Sequence, residues 1–222
     1  MPAGKFVLAA TTVNEPPWGE GDISKPRPKV ARVLLVQIEP PRLRAAVLAS
    51  TLLAPPTYRF HWSGQACRKE DTLYRADLER SNGGDENCLL VDHSLASFSP
   101  RSQGVWKDAA AWLAGQNVQL PVPLLITASV TRTQGWQLVA ATYAFNPRMY
   151  GCDATRSRSW ADSPWHRKAV AGDPQRERFV ESVTGWGKGV QQHFDGLVAG
   201  RQSALDKMPE IYSCAAAQAA LN

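Results

Sequence analysis

Between residues 6 and 145 the apolar positions fall in short runs broken by turn-forming residues, and after residue 173 they switch to a helical spacing. Phe6 to Val13 is a β-capable run, and Pro16, Pro17, Trp18, Gly19 and Gly21 make Asn14 to Lys29 a long surface loop. Val30 to Ile38, rich in valine and leucine, predicts a strand that Pro40-Pro41 stops. Arg42 to Leu53 suits a strand or a short helix, because alanine and leucine serve both, and is read as a strand. Thr57 to Trp62 and Thr72 to Leu78 read as further strands. Ser81-Asn82-Gly83-Gly84-Asp85 then turns the chain into Cys88 to Phe98.

Val105, Ala109, Trp112 and Leu113 recur at helical spacing. With Ser102 as N-cap and Gly115 as stop, they predict an amphipathic helix over Gln103 to Ala114. In Val122 to Val130, Leu124, Ile126, Ala128 and Val130 alternate with Leu125, Thr127 and Ser129. Trp136 to Phe145 pairs with this run through a Thr133-Gln134-Gly135 turn, and the hairpin ends at Asn146-Pro147.

The longest periodic segment begins at Asp173, an N-cap candidate followed by Pro174. It runs through Phe179, Val180, Val183, Trp186, Val190, Phe194, Leu197 and Val198 to Gly200. Gly185, Gly187 and Gly189 interrupt it at about 0.5–1 kcal/mol each relative to alanine, which points to close backbone approach or a kink. The fold class is therefore α+β: a mostly antiparallel, twisted sheet of about six or seven strands packed by two main helices, one of them long and C-terminal. Residues 1–222 are expected to form a single domain, sheet-rich over 1–147 and loop-and-helical over 148–222, since the long helix must bury its apolar stripe on the sheet.

Composition narrows this only in places. The 222 residues are 44% apolar and 20% charged, enough for a sizeable core. The net charge of +5 comes from 25 basic and 20 acidic residues that are interspersed, with basic runs no longer than the pair Arg167 and Lys168. A nucleic-acid binder gathers its charge into a patch, so nucleic acid is disfavoured as a partner. No stretch reaches the roughly 18 apolar residues of a membrane span. The apolar run Phe6 to Ala10 is too short for a signal peptide core, so an export signal or anchor is expected to lie outside these residues.

Four cysteines, Cys67, Cys88, Cys152 and Cys214, occur without a C-x-x-C pair or a histidine at metal-ligand spacing. They predict two disulfides and an extracytoplasmic, periplasmic or secreted location, the alternative being a cytoplasmic chain with four free thiols. Cys67 and Cys88 would flank the predicted hairpin and close a loop of about twenty residues, worth about 3 kcal/mol on chain-entropy grounds. That would leave Cys152 with Cys214, although sequence does not choose among the three connectivities.

No nucleophile elbow, phosphate loop or dinucleotide fingerprint is present, and no cofactor or metal is predicted. Strand alternation places Asp92 and Ser94 on one face and His93 on the other, so the three do not form a relay. His61, His93, His166 and His193 are dispersed, and the acidic pairs Glu70-Asp71 and Asp85-Glu86 read as solvated. Tryptophan is more distinctive. Of the eight, Trp160 and Trp165 lie close to Arg148, Arg156 and Arg158. Aromatic rings beside arginines suit contact surfaces, and they suit the closing of a core equally well.

The leading expectation is a non-catalytic extracytoplasmic binding or assembly module that contacts a protein partner, or a small ligand, through Arg148, Arg156, Arg158, Trp160, Trp165, His166 and Arg167. It expects an exposed aromatic patch. A second expectation is a hydrolase assembled across distant segments, with His93, His61 or His166 as base inside a concave pocket. A third is binding to an anionic surface or nucleic acid through net positive charge.

Overall fold

The structure, a computed structural model, describes residues 4–14, 29–53, 65–79, 86–95, 97–99, 102–120, 124–134, 137–155, 157, 159–201 and 208–215. The predicted strand Thr57 to Trp62, the turn Ser81 to Asp85 and most of the loop Asn14 to Lys29 lie outside the described residues.

Seven antiparallel strands form one sheet: β1 (Val7–Asn14), β2 (Lys29–Glu39), β3 (Arg42–Leu53), β4 (Tyr74–Glu79), β5 (Glu86–Ser94), β6 (Leu125–Gln134) and β7 (Gln137–Phe145). Their order is β1-β2-β3-β7-β6-β5-β4. Arg42 to Leu53 is a strand throughout, paired with β2 on one side and β7 on the other. The β3–β7 pairing, with Ala45 opposite Phe145 and Thr51 opposite Val139, joins the N-terminal meander to the rest of the sheet.

Helices cover both faces. α2 (Val105–Gly115) sets Val105, Ala109 and Leu113 against Leu34, Val36, Ala46, Leu125 and Ala144. On the opposite face α4 (Pro174–Val198) sets Phe179, Val183, Trp186 and Val190 against Val47, Leu89, Val91, Ile126, Ala128, Tyr143 and Phe145. β6 contributes to both layers because alternate side chains point to opposite faces and both faces are buried. Each fully buried large side chain on α4 contributes about 1.5–3 kcal/mol. α1 (Gln65–Arg68) and α3 (Arg167–Val170) are single turns, and a 3-10 turn, Pro147–Tyr150, follows β7.

Four local readings change, one being that Thr133 and Gln134, read as part of a turn, extend β6 and pair with Leu138 and Gln137. Ser102 does not cap α2: its hydroxyl donates to the Ser99 carbonyl at 2.7 Å, and the N-cap is Gly104, with φ 56°. Gly115 is the last helical residue, and Asn117, at φ 55°, makes the left-handed turn instead. β5 ends at Ser94, short of Phe98, because Ser94 Oγ accepts from Ser97 N at 3.3 Å and Phe98 adopts φ 58°. At the long helix the reading holds. Asp173 accepts from the backbone N–H of Gln175 and Arg176, and Gly200 takes the left-handed conformation just past the end.

The three helix glycines have different surroundings. A Cβ on Gly187 would meet Leu89 Cδ1 at 2.7 Å, so this residue lets α4 lie close on β5. A Cβ on Gly189 would touch Met208 Sδ at 3.1 Å, whereas Gly185 faces open space.

All four cysteines are paired, Cys67 with Cys88 and Cys152 with Cys214, closing sequence separations of 21 and 62 residues. The second bridge ties the loop after β7 to the segment beyond α4, where Gly151, at φ 71°, leaves room for Ala215. Two disulfides point to an oxidising environment. No described helix is long and apolar enough to cross a membrane.

Candidate functional site

At the end of β5, His93 lies on the α4 side of the sheet and its side chain is wholly buried. Its ring stacks on Trp160, with centroids 4.9 Å apart and planes 12° apart, and Nε2 donates to the Trp160 carbonyl at 3.2 Å. Nδ1 faces Asp92 Oδ1 at 3.4 Å. Asp92 turns back on its own strand: Oδ1 accepts from the His93 backbone N–H at 2.8 Å and Oδ2 pairs with Lys69. Burial raises the Asp92 carboxyl pKa, but the contacts from His93 and Lys69 outweigh it and hold the group below the ordinary carboxylate range.

A second layer is built around Asp71. Its Oδ2 accepts from His166 Nε2 at 3.1 Å, and its Oδ1 is ion-paired with Arg167 Nε at 2.7 Å. His166 also opens α3: its Nδ1 accepts from the Lys168 backbone N–H at 3.4 Å. His166 and Trp160 meet at right angles with ring centroids 4.7 Å apart, and Lys69 Nζ lies 5.0 Å from the same indole centroid. Trp160 is thus the hinge between the two layers.

Beside this network opens a cleft of about 530 Å³, lined by Asp71, Thr155, Asp162, Ser163, Pro164, His166 and Lys168 together with Ala161 and Ala169. Both signs of charge line it. Asp162 and Lys168 are exposed, and Ser163 is buried, its Oγ accepting from Trp165 N at 3.2 Å. Chemically the cleft offers fixed hydrogen-bonding groups, with the half-buried Trp160 indole next to its lining residues Ala161 and His166. His166, the histidine that lines the cleft, holds no uncommitted ring nitrogen toward it, since Nε2 donates to Asp71 and Nδ1 accepts from the Lys168 N–H.

The sequence-selected residues divide among several roles. Trp160, His166 and Arg167 come together here. Trp165 is fully buried instead: it packs on Phe179 at 5.4 Å and donates from Nε1 to the Asp153 carbonyl, so it serves the core and offers no contact area. Arg148 staples its own loop, donating from Nε and Nη2 to the Ala154 carbonyl at 3.0 and 2.8 Å. Arg156, Arg158 and His61 lie outside the described residues.

Sequence reasoning missed Lys69, Asp71 and Asp92. Asp71 reads as a solvated acid beside Glu70, and no local pattern announces a histidine 95 residues away. Compared with protein-family models, with curated proteins and with solved structures, the chain matches none.

Proposed function

We propose that the chain is a non-catalytic, extracytoplasmic binding or assembly module whose contact surface is the cleft around Asp71, Trp160, Asp162, Arg167 and Lys168. The observation that carries this reading is the commitment of both ring nitrogens of His166, the histidine lining the cleft, to Asp71 and the Lys168 N–H, which leaves a preorganised recess of mixed charge with a half-buried indole nearby. Such a recess suits an extended polypeptide segment carrying both charge signs, because fixed side chains lose little entropy on binding. The two disulfides support the extracytoplasmic part of the reading.

A photocrosslinking amino acid placed at the exposed lining residues Ala161 or Ala169 tests it in the cell of origin. Discrete adducts from these positions, and none from the exposed Lys107 on α2, are the expected result. Equal or absent labelling at all three would remove the reading.

One observation favours a second reading, a hydrolase: His166 sits 3.1 Å from a carboxylate and lines the cleft. It requires Nδ1 to give up the Lys168 N–H in order to act as a base. Full retention of any measured hydrolytic activity in a His166→Gln variant would dispose of it. Anionic-surface binding is the third reading, and the interspersed charge and the acidic cleft residues weigh against it.

A further inference from the structure

The two edges of the sheet are unlike. β4 is short, carries the exposed Arg75 and Asp77, and packs beside α1 and its disulfide, which are the devices that guard a sheet edge against pairing. β1, at the other edge, runs for eight residues, Val-Leu-Ala-Ala-Thr-Thr-Val-Asn, without a charge or a proline. No described strand lies on its outer side.

Among the described residues, the sheet face beside that edge is equally unguarded. A bulge at Ala9 puts Leu8 opposite Leu35, while Thr11 pairs with Val33 and Val13 with Ala31, so Leu8, Thr11 and Val13 share one face. This is the α4 side, because Leu35 is opposite Val47 of the α4 core. α4, however, lies over β5 and β6 and leaves this end bare. Leu8 is 55% exposed, Val13 60%, Val33 37% and Leu53 50%, so four of the five exposed large apolar side chains among the described residues lie here, with Ala49 and Thr51 between them.

We infer that β1 is the interface through which two copies of this chain pair, edge to edge and antiparallel, about a two-fold axis at Thr11. The strand is self-complementary in that register. Thr11 meets the second copy's Thr11, Thr12 meets Ala10, and the bulge lets Val13 meet Leu8 on the same face. A register shifted by one residue sets residues of opposite faces against each other. An exposed leucine and an exposed valine thereby cover each other twice, next to edge backbone groups that no described strand pairs. An unrelated strand has no such match built in. This surface lies at the far edge of the sheet from the cleft, so the inference stands or falls apart from the binding reading.

Sedimentation velocity on the full, disulfide-intact chain across the micromolar range is the test, paired with engineered thiols. The expected result is a reversible, concentration-dependent shift from 24.3 kDa toward twice that mass. Leu8→Lys and Val13→Lys, both at exposed sites that the monomer does not need, should each weaken it by more than about tenfold, and Leu197→Lys on α4 should leave it unchanged. Because every native cysteine is bridged, Thr11→Cys supplies a single thiol, and facing residues of paired strands lie at disulfide distance. Under mild oxidation by oxidised glutathione, Thr11→Cys should couple to itself much faster than Leu53→Cys. A monomer at every concentration, lysine variants that dimerise like the parent, or equal coupling at positions 11 and 53 would each overturn the inference.

Discussion

Trp160 lies flat on His93, ring planes 12° apart at 4.9 Å, while Trp165, five residues on, is buried edge-on to Phe179. Two tryptophans of one short segment therefore do different work. Trp165→Ala empties a core position and orphans the Asp153 carbonyl, and should cost about 3–5 kcal/mol. Trp160 is half-buried, and Trp160→Ala should cost about 2 kcal/mol while abolishing crosslinks from the cleft. Urea denaturation of both variants, with the crosslinking readout on Trp160→Ala, separates packing from contact. Equal destabilisation by the two would make Trp160 a core residue.

Gly185 and Gly187, two residues apart and so on opposite sides of α4, should respond oppositely to alanine. At Gly185 a methyl meets nothing, and helix propensity alone should stabilise the protein by about 0.5–1 kcal/mol. At Gly187 the methyl would lie 2.7 Å from Leu89 Cδ1, forcing the helix off β5 at about 1–3 kcal/mol. Thermal unfolding of the pair decides it, and two shifts of the same sign would contradict the packing described for α4.

How far the sequence reads follows from where each signal resides. Strands and α4 are legible because burial imposes a period on them, and Asp173 is legible because a cap acts within three residues. That there are two disulfides is legible from four cysteines, whereas their connectivity, Cys67 with Cys88 and Cys152 with Cys214, is fixed only by the fold. The cleft is another matter. Lys69, Asp71, Asp92, His93 and the segment around Trp160 come from three separate stretches of chain, and only tertiary packing sets His166 against Asp71. The same blindness applies to Trp165, since arginines beside a tryptophan look alike whether the ring faces water or Phe179.

The two bridges should differ in weight. Chain entropy assigns about 3 kcal/mol to the 21-residue separation of Cys67 and Cys88, and about 4 kcal/mol to the 62-residue separation of Cys152 and Cys214. Replacing Cys152 and Cys214 together by serine should also release residues 208–215 from Gly151, and with them the hydrogen bond from Tyr212 N to Ser182 Oγ. Denaturant melts give the energies and amide exchange at Tyr212 gives the release. Protection of Tyr212 equal to that in the parent would show that the tail docks without the bridge.

Asp92 should make folding stability depend on pH in the acid range. Its carboxyl is held below the ordinary range in the folded chain, burial pushing it up and the contacts from His93 and Lys69 pushing it further down. In acid the unfolded chain therefore binds the proton first, and stability rises with pH there. The contribution is complete above the unfolded value of about 3.9 and is lost as pH falls through the lower folded value. Asp92→Asn removes the charge but keeps the shape. It should be less stable than the parent at neutral pH, and the gap should close as pH drops below about 4. Lys69 is half exposed, so salt should weaken its share, while the shielded contact with His93 should persist. Chemical denaturation of both proteins from neutral pH to strong acid, at low and high salt, reads out all three effects. A deficit that stays constant across that pH range would mean that Asp92 acts through its shape and hydrogen bonds alone.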